Sequence, residues 1–341
     1  MQRRLPGPLL SRETRHAASP RRHGALFYDG HPAVSDSKRE VIAGLNRSQK
    51  QISPKYFYDG RGSELFERIG ELDEYYLTRT ETSILAAHAA QMVTSFGSQC
   101  TVIEYGSGNS KKVRYLLDAL VGHHTYVAID ISKEHLLRST SALARDYSNL
   151  TVVAVCADYL RPLPLPVTSP CVGTRVGFFP GSTLGNFSPR EAIQFLRTAR
   201  QHLGPGGKLL LGVDLKKDPR LLHAAYNDTE GVTAAFNLNV LARINCECGA
   251  DFDVDGFRHR AFYNEPLGRV EMHLRSTRAQ TVHIDGTPIE FTEGETIHTE
   301  NCYKYTYAEC ERLAVCCGFE LTRYWTDKND WFGVFMLRRE S

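Results

Sequence analysis

The stretch Val102-Ile103-Glu104-Tyr105-Gly106-Ser107-Gly108-Asn109-Ser110 decides how this chain is read. A short apolar run enters a glycine turn, and a helical pattern follows. Gly106 and Gly108 let the backbone come close to a ligand at the carboxyl end of a first strand. Position 111 is lysine. The third glycine of the dinucleotide fingerprint is therefore missing, and no pyrophosphate clamp is implied. Taken alone, such a Gly-x-Gly turn is as ordinary as it is functional.

The flanking pattern adds weight. Short β-branched runs lie at 101–105, 126–131, 151–156, 175–179 and 209–213, with helical stretches between them. Strands alternating with helices imply parallel pairing in a doubly wound sheet. The second run ends at Asp130, where a ribose hydroxyl pair would be held. The third ends in Ala157-Asp158-Tyr159, which suits an adenine amino group and ring face. Asp130 and Asp158 also suit a helix cap or a turn, but three such strand ends in order argue for a nucleoside site.

Helix signals fill in the outline. Ser37-x-x-Glu40 predicts a helix through Val41 to Leu45, and Thr78-x-x-Glu81 a longer one with Leu85, Ala89 and Met92 on its apolar face. Ser188, Pro189 and Glu191 open another, which Gly204-Pro205-Gly206-Gly207 stops. After Leu215 the theme breaks. Residues 219–245 read as helical, and 258–298 as antiparallel strands with a turn at Asp285-Gly286. Thr306-x-x-Glu309 then caps a helix that stops at Gly318, and runs at 319–325 and 331–338 close the chain. The expected fold is α/β: a class I, Rossmann-like sheet with an inserted, partly antiparallel α+β domain. A helix and a terminal antiparallel pair resemble the S-adenosylmethionine methyltransferases. A dehydrogenase would keep the full glycine fingerprint and a sixth parallel strand.

Composition narrows the partners. The 341 residues are 42% hydrophobic and 23% charged, enough for a sizeable core. Forty-one basic residues against 39 acidic ones give +2, which offers no reason to expect nucleic acid or an anionic membrane. None of the nine cysteines falls in a C-x-x-C spacing, so reduced thiols in a cytoplasmic protein are expected. The histidines are dispersed, and no metal site is expected. Residues 1–24 carry six arginines and one acid. They read as a disordered tail outside the fold.

Longer motifs name a family. Lys55-Tyr56-Phe57-Tyr58-Asp59-x-x-Gly62-Ser63-x-Leu65-Phe66 precedes Glu74-Tyr75-Tyr76-x-Thr78-Arg79. Later come Gly181-Ser182-Thr183-Leu184-Gly185-Asn186, Tyr226-Asn227-Asp228, Gly231-Val232-Thr233-Ala234-Ala235-Phe236-Asn237 and Thr299-Glu300-Asn301-Cys302-Tyr303-Lys304-Tyr305. Together these resemble the histidine-specific Nα-methyltransferases of ergothioneine biosynthesis, from about residue 25 to the end. The resemblance implies trimethylation of the α-amino group of L-histidine to hercynine, with S-adenosylmethionine as methyl donor. It implies two domains: substrate binding by 25–79 and 216–304, and methyl transfer by 80–215 and 305–341. Gly106, Gly108, Lys112, Asp130, Asp158 and Tyr159 would then line the cofactor site. Tyr75, Asn186 and Tyr226 would hold the substrate's amino and carboxylate groups. Tyr58, Met272, Glu300 and Cys302 would surround its side chain. The protein would act as a monomer on a small amino acid.

The chemistry of these residues agrees with that assignment. Methyl transfer from a sulfonium needs a neutral amine in line with the methyl carbon, so orientation carries most of the catalysis, ~7–11 kcal/mol at best. Tyr75 and Asn186 suit the amine and are the expected catalytic pair. No lysine or histidine in the motifs is placed as a base. Glu300 suits an imidazole N–H, although it also reads as a solvated strand residue. Cys302 stands where the family commonly has serine, and a thiol is the weaker donor. Two alternatives follow: another aromatic or indole amino acid as substrate, or a homologue that binds S-adenosylmethionine without catalysis.

Overall fold

The strand 100–105 is buried on both faces, as a central parallel strand must be. Val102 packs with Tyr126 and Val152 on one side, while Ile103 and Tyr105 pack with Phe179 and Phe195 on the other. Period-two alternation thus feeds two separate cores from one strand.

The computed structural model describes residues 19–22, 24–30, 34–160 and 173–340. It begins with β1 (Ser19–Arg22), β2 (Ala25–Asp29), α1 (Val34–Leu45), β3 (Lys50–Gln51), α2 (Gly60–Ile69) and α3 (Tyr76–Val93). The α/β run follows: β4 (Cys100–Tyr105), α4 (Val113–Ala119), β5 (His124–Asp130), α5 (Lys133–Asp146), β6 (Leu150–Cys156), β7 (Thr174–Phe179), α6 (Pro189–Leu203) and β8 (Lys208–Asp214). Then come α7 (Pro219–Tyr226), α8 (Val232–Cys248), β9 (Phe257–Asn264), β10 (Arg269–Ser276), β11 (Gln280–Ile284), β12 (Thr287–Phe291) and β13 (Thr296–Tyr303). The chain closes with α9 (Tyr307–Cys316), β14 (Phe319–Thr326) and β15 (Phe332–Arg339).

The large sheet has the order β1-β2-β6-β5-β4-β7-β8-β15-β14. Strands from β2 to β8 pair in parallel, and β15 runs antiparallel to both β8 and β14. From β6 to β14 this is the class I methyltransferase sheet. Strand order reverses between β4 and β7, and ligands of such sheets bind outside the carboxyl ends at that point.

A third core joins α1, α2, α7 and α8 to a four-stranded sheet, β3-β13-β10-β9. Phe57 and Phe236 stack at its centre, 4.6 Å apart. This sheet is tied to the end of β8: Tyr305 N donates to Asp214 O at 3.1 Å, and Leu215 bridges Tyr305. Gly185 makes the approach possible, because a Cβ there would lie 2.7 Å from the Tyr303 carbonyl.

Several expectations are corrected here. The first helix begins at Val34, so Ser37 lies inside it and caps nothing. The helix expected from Thr78 begins at Tyr76 with Tyr75 at its N-cap. Glu81 therefore serves a tertiary contact rather than a capping box. Ser19–Arg22, expected in the tail, forms β1 against β2. Ala25–Asp29, expected with the substrate-binding domain, extends the large sheet beside β6. Residues 1–18 of the expected tail lie outside the described residues. The boxes at Ser188 and Thr306 form as expected, and Asp285-Gly286 turns β11 into β12.

Candidate active site

The glycine turn after β4 is folded back onto the end of β5. Gly106 N and Ser107 N donate to the Ile129 carbonyl at 2.8 and 3.1 Å. Gly106 and Gly108 take positive φ, +70° and +49°, a conformation that favours glycine. Asp130 accepts from Gly108 N at 2.9 Å and from Ser132 N at 2.8 Å. It therefore ties the turn to the start of α5. Burial raises the Asp130 pKa, against the pull of those two N–H groups. Ser107 Oγ is buried without a partner. An orphaned hydroxyl beside an open glycine turn fits a polar ligand there.

The other expected cofactor residues gather around this turn. A Cβ on Gly106 would lie 3.7 Å from the Tyr159 ring, which packs edge-on against Tyr105, Phe179 and Phe195. Asp158 accepts from Leu160 N at 3.0 Å and faces Lys55 Nζ at 3.9 Å. Its carboxylate thus also serves the turn. Lys112 Nζ donates to Glu81 Oε2 at 2.6 Å. Both Glu81 oxygens accept from Gly181 N, at 3.0 and 2.9 Å. Glu81 thus fixes Lys112 over the ends of β4 and β7. Gly212 leaves the room, since a Cβ there would sit 2.1 Å from Glu81 Oε1.

The second half of the site is a cleft of about 480 Å³, part of it open to solvent. All seven residues expected to hold the substrate line it: Tyr58, Tyr75, Asn186, Tyr226, Met272, Glu300 and Cys302. They come from six chain segments. Gly181, held by Glu81, also lines the cleft, so the two halves meet there. Met272 pairs with Glu300, and both project from one face of β10 and β13. Glu300 is buried, at 9% exposure, rather than solvated. Asn186 Nδ2 donates to Glu300 Oε1 at 3.1 Å, which links the loop after β7 to β13. Burial pushes the Glu300 carboxyl up to about 8, although Lys304 draws it down. Tyr75 and Tyr226 meet edge to face at 6.3 Å. Thr233 Oγ1, buried and unpartnered, lines the same cleft.

Sequence reasoning missed the layer behind this cleft. Lys304 is fully buried and donates to Asp214 Oδ2 at 2.7 Å, Tyr226 Oη at 3.1 Å and Cys302 Sγ at 3.0 Å. Asp214 also binds Lys217 Nζ at 2.5 Å and Tyr76 Oη at 2.9 and 2.8 Å. A motif lysine does stand beside the site after all. Burial opposes its charge, but Asp214 and Cys302 outweigh burial and raise its pKa, which makes it a poor base. Glu300, Cys302 and Lys304 stand at i, i+2 and i+4, the first two in β13 and Lys304 one residue past its end, and that alternation was the available signal. Nor did dispersal in sequence keep every histidine apart. Glu271, His273 and His298 meet on the opposite face of the small sheet. The two imidazoles stack at 4.6 Å with 7° between planes. Glu271 is taken up by Arg269 at 2.7 Å and by His273 at 3.0 Å. In-plane lone pairs of parallel rings do not converge on one point, so this group reads as support for β10 and β13.

The relatives agree with the geometry. The profile of the family described as histidine-specific methyltransferase, SAM-dependent, matches residues 37–339. A histidine N-alpha-methyltransferase of Mycolicibacterium smegmatis is 40% identical over 312 residues, covering 90% of this chain and 96% of that protein. The chain belongs to this family. As a histidine-specific, S-adenosylmethionine-dependent methyltransferase, it also resembles ergothioneine biosynthesis protein 1 of Neurospora crassa. That relative is 34% identical over 322 residues, 90% of this chain and 36% of the longer protein. A 4-dimethylallyltryptophan N-methyltransferase of Aspergillus fumigatus is more distant, 28% identical over 318 residues, 88% of this chain and 92% of that protein. No described helix is long and apolar enough to cross a membrane.

Proposed function

We propose that this methyltransferase trimethylates the α-amino group of L-histidine to hercynine, a step of ergothioneine synthesis, as a cytoplasmic monomer that needs no metal. One observation carries the reading. The cleft that meets the glycine-turn site ends in a buried carboxyl, Glu300, held by Asn186. An imidazole N–H satisfies such a group. A phenyl ring carries no N–H and would leave the second Glu300 oxygen without a donor at ~1–3 kcal/mol, whereas an indole brings one N–H on a larger, bicyclic ring.

S-adenosylmethionine, when bound, supplies an electrophilic methyl on a sulfonium. Asp130 would hold its ribose hydroxyls, Asp158 and Tyr159 its adenine, and Lys112 its carboxylate end, with Ser107 near the turn. The remaining work is placement. Tyr226 and Tyr75 receive the amino acid's carboxylate and amine, and Asn186 joins them to Glu300. The α-amine must lose its proton before it can attack. An amine pKa of about 8 or above leaves most substrate as ammonium at neutral pH. A positive sulfonium nearby favours the neutral form, and water carries the proton away. The test is incubation with each proteinogenic amino acid and S-adenosylmethionine, followed by product masses. Methylation of histidine alone is expected. Preference for tryptophan would place this chain with the indole-methylating relatives.

A further inference from the structure

The layer beneath the cleft carries more charge than the fold requires. Asp214 is one carboxylate, and it holds two ammonium groups, Lys304 and Lys217, with side chains 0% and 4% exposed. A buried ion pair is no more stabilising than an apolar pair of similar volume, and surplus buried charge is a cost. One lysine would neutralise Asp214; Lys217 also donates to Tyr76 Oη at 2.8 Å and to the Leu215 carbonyl, bonds that need a donor but not a second positive charge. The surplus faces the cleft. All three Lys304 protons are engaged, and two of them point to cleft-lining atoms, Tyr226 Oη and Cys302 Sγ. Lys304 takes one oxygen lone pair of Tyr226, and the Tyr226 O–H, which faces Cys302 Sγ, can turn to donate to a ligand instead.

We infer that the Lys304–Asp214–Lys217 cluster makes a free carboxylate on the amino-acid substrate a condition of turnover. The inference rests on the function proposed above and assigns specificity to residues one layer behind it. Other ionisable groups facing the cluster are Tyr75, Tyr76, Tyr226, Cys302 and Glu300. Glu300 is the only carboxyl among them, and below about pH 8 burial keeps it neutral. Burial lowers Lys217 to about 8, so at neutral pH both lysines still carry a proton and the formal charge beneath the cleft is +1; a substrate carboxylate on Tyr226 cancels it. An amide, an ester or a peptide-linked residue leaves it uncancelled in a low-dielectric site. Lys304 and Lys217 are positioning residues that act through Tyr226 and the local field.

The experiment compares kcat/KM for histidine and histidinamide in the parent protein, in Lys304→Met and in Lys217→Met. Each variant is referred to the parent on the same substrate, which cancels the different amine pKa values of acid and amide. The acid-to-amide ratio is expected to fall at least about thirtyfold in Lys304→Met, equivalent to ~2 kcal/mol at 1.4 kcal/mol per tenfold. The loss should fall on histidine, mainly in KM, with histidinamide little changed. Equal losses on both substrates would mean a purely structural role and would overturn the inference. Should Lys304→Met lack a cooperative melting transition, Lys217→Met decides. It leaves the Tyr226 contact in place but removes the surplus charge. A ratio lowered about tenfold supports the inference, and an unchanged ratio overturns it. A parent protein that leaves histidine unmethylated would instead overturn the functional reading itself.

Discussion

The two halves proposed for the site, one for the cofactor and one for the substrate, are built in different ways. The cofactor half is largely backbone: a glycine turn, the ends of β4 and β5, and one carboxylate that clamps them. Its parts lie within about thirty residues of chain, apart from Asp158, Tyr159 and the distant brace Glu81. The substrate half is almost all side chain. It draws Tyr58, Tyr75, Asn186, Tyr226, Met272 and Glu300 from segments more than two hundred residues apart. Backbone sites tolerate drift in side chains and bind what many enzymes share. Side-chain sites choose among substrates, and each choice needs support from behind. Here that support is ionic, through Lys304, Asp214 and Lys217.

Substitutions can break this contrast or sharpen it. The largest effect is expected at Glu300. Glu300→Ala leaves Asn186 and the substrate ring without a partner, and kcat/KM for histidine should fall about tenfold to a hundredfold, from ~1–3 kcal/mol. Cofactor affinity measured by calorimetry should not change. A matching loss of cofactor affinity would show that the halves are not separable. Asp130→Ala is the mirror test. Two ribose hydrogen bonds to a carboxylate, each worth ~1.5–3 kcal/mol, predict more than tenfold weaker S-adenosylmethionine binding. Unchanged affinity would remove Asp130 from the cofactor half.

A smaller effect concerns pH. The α-amine loses its proton as pH rises, so kcat/KM on histidine should climb between pH 7 and 9. Glu300 is raised to about 8 by burial. It is therefore neutral and able to donate below that value, and an acceptor above it. The profile should carry an inflection near pH 8 that vanishes in Glu300→Gln, while the climb itself persists. An inflection surviving in Glu300→Gln would assign it to Lys217, which burial lowers to about 8. The smallest effect is expected for Cys302→Ser. A hydroxyl is a stronger partner than a thiol, so the histidine KM should fall or stay level. A several-fold rise would show a cleft adapted to another ligand.

The same contrast explains what the sequence could disclose. Gly106, Gly108 and Asp130 were legible because strand, turn and acid are contiguous and the α/β period frames them. The parallel, doubly wound character of the large sheet followed from the same alternation. The cleft residues were legible only through long motifs, since nothing in their spacing brings Tyr58 to Glu300. Glu81 was misread because Thr78-x-x-Glu81 satisfies a local capping pattern. In the fold, Lys112 and Gly181 claim its carboxylate instead. Lys304 sat in view two residues beyond Cys302, but a buried ammonium shows its purpose only once Asp214 is beside it. The strand Ala25–Asp29 was assigned to the wrong layer because a five-residue apolar run carries no sign of which sheet it joins.

The most direct test of the account is to incubate the protein with L-histidine and excess S-adenosylmethionine and locate the methyl groups by tandem mass spectrometry. The account predicts a single end product with three methyl groups on the α-nitrogen and none on the imidazole, because Glu300 and Asn186 hold the ring end of the cleft away from the cofactor turn. Methyl groups on a ring nitrogen, or histidine recovered unchanged, would contradict it.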